Sequence, residues 1–144
     1  MKYLHKISLL LSVFAIGLFA SCDTDNVGEI YKSDSKALSF FADSQPSVEV
    51  TGGNPTFTVT IYRGNTESAA SGSLNVEALV GGSALSGVTV SDYSFAAGES
   101  PTNVTVDVST LEVGDVLNLT LTIPDADASV GGISSTTISV SKAY

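Results

Sequence analysis

The chain has 144 residues, the length of one domain, and 43% of them are hydrophobic. Six basic residues against fifteen acidic ones give a formal net charge of −9, which excludes the basic face that displaces counterions from nucleic acid. There is one histidine, one cysteine, one methionine and no tryptophan, so most catalytic and metal-binding constellations are out of reach.

The first element in chain order is a leader. Lys2 and Lys6 precede an apolar run over residues 7–20 that only Ser8, Ser12 and Gly17 interrupt, and small residues, Ala20 and Ser21, lead into Cys22. This is the layout of a secretory signal, and the run is too short for a membrane-spanning helix of about 20 residues. Cys22 is the sole cysteine and stands at the expected cleavage point. The stretch Phe19-Ala20-Ser21-Cys22 resembles a lipobox, with Phe19 in place of the usual leucine. The resemblance implies cleavage before Cys22 and attachment of palmitate-type acyl chains to it. Each buried CH₂ of such chains contributes about 0.8 kcal/mol, so two or three chains make release slow.

Loss of residues 1–21 removes His5, Met1, Lys2 and Lys6. Lys32, Lys36, Arg63 and Lys142 then face all fifteen acids, four against fifteen, a net charge of −11. A chain without histidine cannot build a Ser-His-Asp triad or a zinc, copper or non-haem iron site from His and Cys ligands. No phosphate-cradling glycine motif is present. Residues 22–36 are polar and acidic and read as a flexible tether with an r.m.s. span of about 20–23 Å; Tyr31 within it reads as a docking contact.

From residue 37 the pattern alternates with period two, the mark of half-buried strands. Residues 37–43 open the domain, Pro46 interrupts, and residues 47–50 read as a continuation at an edge. Residues 56–62 place Phe57, Val59 and Ile61 inward, with Thr56, Thr58, Thr60 and Tyr62 outward. Residues 73–80 put Leu74, Val76, Ala78 and Val80 on one face. Residues 87–95 carry Val88 and Val90, then Tyr93 and Phe95, and the change of parity predicts a bulge or bend. Residues 102–108 offer Val104, Val106 and Val108; residues 116–123 offer Leu117, Leu119, Leu121 and Ile123; residues 133–140 end on Ile138 and Val140. Glycine and proline fill the gaps at 52–55, 81–87, 96–101, 112–114 and 131–132. The expected fold is all-β, an immunoglobulin-like antiparallel β-sandwich of about seven strands spanning residues 37–144, with a closed barrel as the alternative.

Residues 91–108 (SDYSFAAGESPTNVTVDV) and 111–123 (LEVGDVLNLTLTI) resemble the second half of Calx-beta-like domains. Residues 39–48 and 56–65 (TFTVTIYRGN) look like the first two strands of such domains. Together with the lipobox, and with Asp23 and Asp25 just after the cysteine, the chain resembles Bacteroidetes-type surface lipoproteins. That resemblance implies a lipid-anchored protein of the bacterial outer membrane, exposed at the cell surface.

Candidate sites are few. No metal site is expected. Asp125 and Asp127, followed by Gly131-Gly132, are the place where oxygen ligands for Ca²⁺ could gather, against the plainer reading of a polar hairpin loop. The dense acidic clusters of calcium-binding Calx-beta domains have only Glu112, Asp115, Asp125 and Asp127 as counterparts here. Tyr62 and Tyr93, with Phe41, are candidates for a platform that takes a sugar ring or a protein partner; otherwise Phe41 and Tyr93 cap the core. A carboxylate pair for glycoside hydrolysis needs a cleft that a domain this small does not form readily, and the lysines of a Ser-Lys pair (Lys32, Lys36, Lys142) lie at the domain ends. The reading is a non-catalytic, lipid-anchored interaction or assembly module without a cofactor. The alternatives are a glycan-binding accessory lipoprotein and a Ca²⁺-dependent structural module.

Overall fold

The computed structural model describes residues 36–41 and 47–144. The expected signal peptide, Cys22, Tyr31 and the tether before Lys36 lie outside the described residues. Eleven strands follow in chain order: β1 (Leu38–Phe40), β2 (Ser47–Thr51), β3 (Thr56–Arg63), β4 (Ala70–Gly72), β5 (Asn75–Val80), β6 (Ser83–Ala84), β7 (Thr89–Val90), β8 (Tyr93–Phe95), β9 (Pro101–Asp107), β10 (Val116–Thr122) and β11 (Ser135–Ala143). The described residues contain no helix.

The alternation decides which side chains go inside. In β3, Val59 and Ile61 are buried and Phe57 half-buried, while Thr58 and Tyr62 are exposed. In β9, Val104 and Val106 are buried and Asn103 and Thr105 exposed. In β10, Leu117, Leu119 and Leu121 are buried, and Val108 and Ile123 are buried just beyond their strands. Each such side chain contributes about 1.5–3 kcal/mol by leaving water.

Two sheets face each other across this core. One orders β1-β3-β9-β7, the other β2-β11-β10-β5-β6, and β4 and β8 form a separate ribbon. One cluster of buried side chains joins all three: Phe40, Ile61 and Val104 from the first sheet, Val50, Leu119 and Ile138 from the second, and Tyr93 and Phe95 from the ribbon. The molecule is thus an all-β sandwich. Among the described residues the strand pairs are antiparallel, with one exception. β2 runs parallel to β11, from Ser47 opposite Ser139 to Thr51 opposite Ala143.

Four local features differ from the sequence reading. First, residues 47–51 do not continue the edge of the first strand but pair in the opposite sheet, on the far side of Pro46. Second, the parity change between Val90 and Tyr93 is more than a bulge. There the chain leaves β9 as β7 ends and pairs with β4 as β8 begins, and at the crossing Ser91 N–H donates to the Thr105 carbonyl while Ser91 Oγ accepts from Thr105 N–H, both at 2.9 Å. Third, Val76 keeps the expected parity, opposite Leu121, yet stands 42% exposed at the open end of its sheet. Fourth, β4 and β6 fall in segments without alternation, and five of the eleven strands have only two or three residues.

Candidate functional site

The titratable side chains of greatest interest meet where the domain begins. Ala37 is buried with a positive φ of 51°, a left-handed conformation that costs roughly 1–2 kcal/mol outside glycine. It separates Lys36 from β1. Gly64 N–H donates to the Ala37 carbonyl at 2.9 Å. The Lys36 ammonium then donates to three oxygens: the Ser71 carbonyl at 3.0 Å, the Tyr93 hydroxyl at 2.9 Å and Asp127 Oδ2 at 3.0 Å. It also lies 5.2 Å from the centre of the Tyr93 ring. Tyr93 in turn donates its hydroxyl to Asp127 Oδ2 at 2.9 Å.

A turn after Pro124 positions Asp127, whose N–H donates to the Pro124 carbonyl at 2.8 Å. The Asp127 carbonyl accepts from Leu38 N–H at 2.8 Å. Asp127 therefore holds the start of the domain twice, once through its backbone and once through its carboxylate. Gly72 completes the cluster, because a Cβ there would collide with the Tyr93 hydroxyl.

Burial works against the Lys36 ammonium, but hydrogen bonds to Tyr93 and Asp127 and their charges outweigh it, so its pKa rises above the ordinary 10.5. Burial also raises the Tyr93 pKa above the ordinary 10.0; Lys36 opposes this and Asp127 adds to it. At neutral pH Lys36 is therefore an ammonium and Tyr93 a neutral phenol. An ammonium with three acceptors is no nucleophile, so the chemistry of this arrangement is that of a clamp.

The other two bases in the described residues are also held. Arg63, 4% exposed, donates from Nε to the Glu99 carbonyl at 2.7 Å, from Nη1 to the Ser68 carbonyl at 2.6 Å and from Nη2 to the Ala96 carbonyl at 2.6 Å. Its guanidinium lies 4.9 Å from the centre of the Phe95 ring. The fork thus ties the 64–69 loop to the 96–100 turn. Lys142 donates to the Ser109 and Leu111 carbonyls at 3.0 and 2.7 Å, closing the loop between β9 and β10. Every buried side-chain nitrogen or oxygen among the described residues has a partner.

Tyr93 is wholly buried and presents no ring to a ligand, which corrects its place among the platform candidates. Tyr62 stands at the limit of exposure, and the exposed Phe41 ring packs beside it, centroids 5.6 Å apart. Phe41 therefore does not cap the core. Asp125 is exposed, whereas Asp127 Oδ2 already serves Lys36 and Tyr93. Among the described residues, no three His, Cys, Asp or Glu side chains gather as a metal site would require. Sequence reading missed the roles of Lys36, assigned to the tether, and of Arg63. The signal for Arg63 was its parity, since it continues the inward series Val59, Ile61.

No family model matches the chain, and no curated protein matches it. Among solved structures, the chain is similar to the crystal structure of CBD12 from CALX1.2, at 17% identity and a TM-score of 0.46. That likeness covers 74% of this chain and 44% of the other, so the chain spans under half the length of the structure it matches.

Proposed function

We propose that this protein is a lipid-anchored, non-catalytic component of a bacterial cell envelope, its sandwich serving as an interaction or assembly module at the outer-membrane surface. The observation that carries this reading is the place of Cys22, the sole cysteine, directly after a charged start, an apolar run and two small residues. The arrangement of the bases supports the non-catalytic part. Lys36, Arg63 and Lys142 each engage oxygens that hold loops together, which leaves them no role as nucleophile or general base. Loops and strand edges are then the surfaces open to a partner.

Pull-down from envelope extracts with the lipidated protein tests the module. Recovery of one partner, lost when a surface loop is altered, supports it. Repeated recovery of nothing, or turnover of an envelope substrate by the pure protein, contradicts it.

A further inference from the structure

Among the described residues Val76, Val113, Val116 and Tyr144 are exposed at other places, and a further group gathers beside Tyr62 and β1. Val130 is 68% exposed, Phe41 55% and Ile133 41%, and all three lie along one edge of the sandwich. β1 is the outermost strand of its sheet. Phe40 N–H donates to the Ile133 carbonyl at 2.9 Å, and Ser129 N–H donates to the Leu38 carbonyl at 2.8 Å. The 129–133 loop is thus laced along β1, with Phe41 following at the end of the strand. Single exposed apolar residues are ordinary; a group on one edge is not. Residues 37–41 and 128–141, which form this edge, contain no Asp, Glu, Lys or Arg, and the charges of Lys36, Asp125 and Asp127 stand at the end where the chain enters.

We propose that this edge docks on the bilayer, with Val130, Ile133 and Phe41 entering the boundary between headgroups and acyl chains. The inference rests on the lipid anchor at Cys22. Residues 23–35 separate that cysteine from Lys36, and so short a chain reaches at most about 50 Å when fully extended. The chain joins the domain at this same edge, through Lys36 and Leu38. A tether so short holds the patch near the surface at an effective concentration in the millimolar range, so three side chains that bind lipid weakly alone suffice to orient the domain. Elsewhere the acidic surface is repelled by anionic headgroups. The patch is far smaller than the roughly 20–30 residues a side of a stable protein interface, and the side chains of Val130, Ile133 and Phe41 carry no hydrogen-bonding group for a sugar.

A single reporter tests this, since the chain has no tryptophan. Val130→Trp is placed in the full acylated protein, reconstituted in phosphatidylcholine vesicles, with Val76→Trp as a reporter on another exposed site. Docking predicts that Val130→Trp emission shifts to shorter wavelength and resists iodide quenching on vesicles, that adding Ile133→Asp cancels both effects, and that Val76→Trp stays quenchable. Val130→Trp remaining as quenchable on vesicles as in detergent-free buffer overturns the proposal, as does protection by a soluble neutral polysaccharide or by an envelope protein without vesicles. Flotation and intact mass report the anchor separately. If Cys22 proves unacylated, the same reporters are read with the chain from residue 22 held by an N-terminal His-tag on nickel-chelating lipid, and the same outcomes decide.

Discussion

Lys36 and Asp127 stand 91 positions apart in the chain and meet at 3.0 Å. Between them sits the Tyr93 hydroxyl, which accepts from one and donates to the other. Three distant segments are tied where the described domain begins. Charged hydrogen bonds are worth about 1.5–3 kcal/mol each when partly buried. Lys36→Met and Asp127→Asn are each expected to lower unfolding stability by about 1–3 kcal/mol in urea titrations with m unchanged. The double variant is expected to cost less than the sum of the two, because the second change removes a partner already lost. Additive losses would mean that the pair does not interact in solution.

The same cluster sets an alkaline limit. Lys36 and Tyr93 both hold their protons more tightly in the folded protein than in the unfolded chain. The folded state therefore binds more protons at high pH, and stability falls as pH rises. The contribution is complete below the ordinary values of 10.0 and 10.5 and is lost as pH climbs through the higher folded values. Tm measured against pH is expected to drop above about pH 10. Tyr93→Phe and Lys36→Met should each flatten that drop. An alkaline limb unchanged in both variants would place its origin elsewhere.

Gly72 lies against the Tyr93 ring, with the hydroxyl and Cζ nearest to where a Cβ would stand. Gly72→Ala is expected to cost about 1–3 kcal/mol through overpacking. Tyr93→Phe in the same chain should restore part of this and not all, since Cζ remains in the way. Full restoration, or no effect of Gly72→Ala, would contradict the contact.

Arg63 offers a sharper contrast. Its three bonds to carbonyls from two loops use the planar fork that lysine lacks. Arg63→Lys and Arg63→Met are both expected to destabilise by about 2–4 kcal/mol, and hydrogen exchange should quicken in residues 64–69 and 96–100 ahead of β10. A conservative response to Arg63→Lys would show that the charge matters and the fork does not.

Much of the sandwich was legible in the sequence because buried strand faces impose a period of two. Val104, Val106, Val108, Leu117, Leu119, Leu121 and Ile123 all lie inside as the alternation requires. Legibility failed where pairing rather than side-chain pattern makes a strand. β4 reads Ala-Ser-Gly and is a strand only because β8 lies beside it. The parallel docking of β2 on β11 depends on the far end of the chain, which no local pattern announces. Arg63 continues the inward parity of Val59 and Ile61 one residue beyond the expected strand of 56–62. Lys36 and Asp127 look like solvated residues of a tether and a turn until the fold brings them together. Of the platform candidates, Tyr62 keeps an exposed edge and Tyr93 does not. Tyr62 faces outward on β3 as its parity requires, whereas Tyr93 shares the buried parity of Phe95 on β8.

The central claim is a sandwich held to a membrane through one sulfur, and the intact mass of the protein extracted from membranes tests it most directly. The account predicts a chain that begins at Cys22, lacks residues 1–21 and carries the added mass of a diacylglycerol with or without a third acyl chain, while Cys22→Ala yields none of these species. A chain retaining residues 1–21, or a free thiol at Cys22 in the membrane fraction, would contradict it.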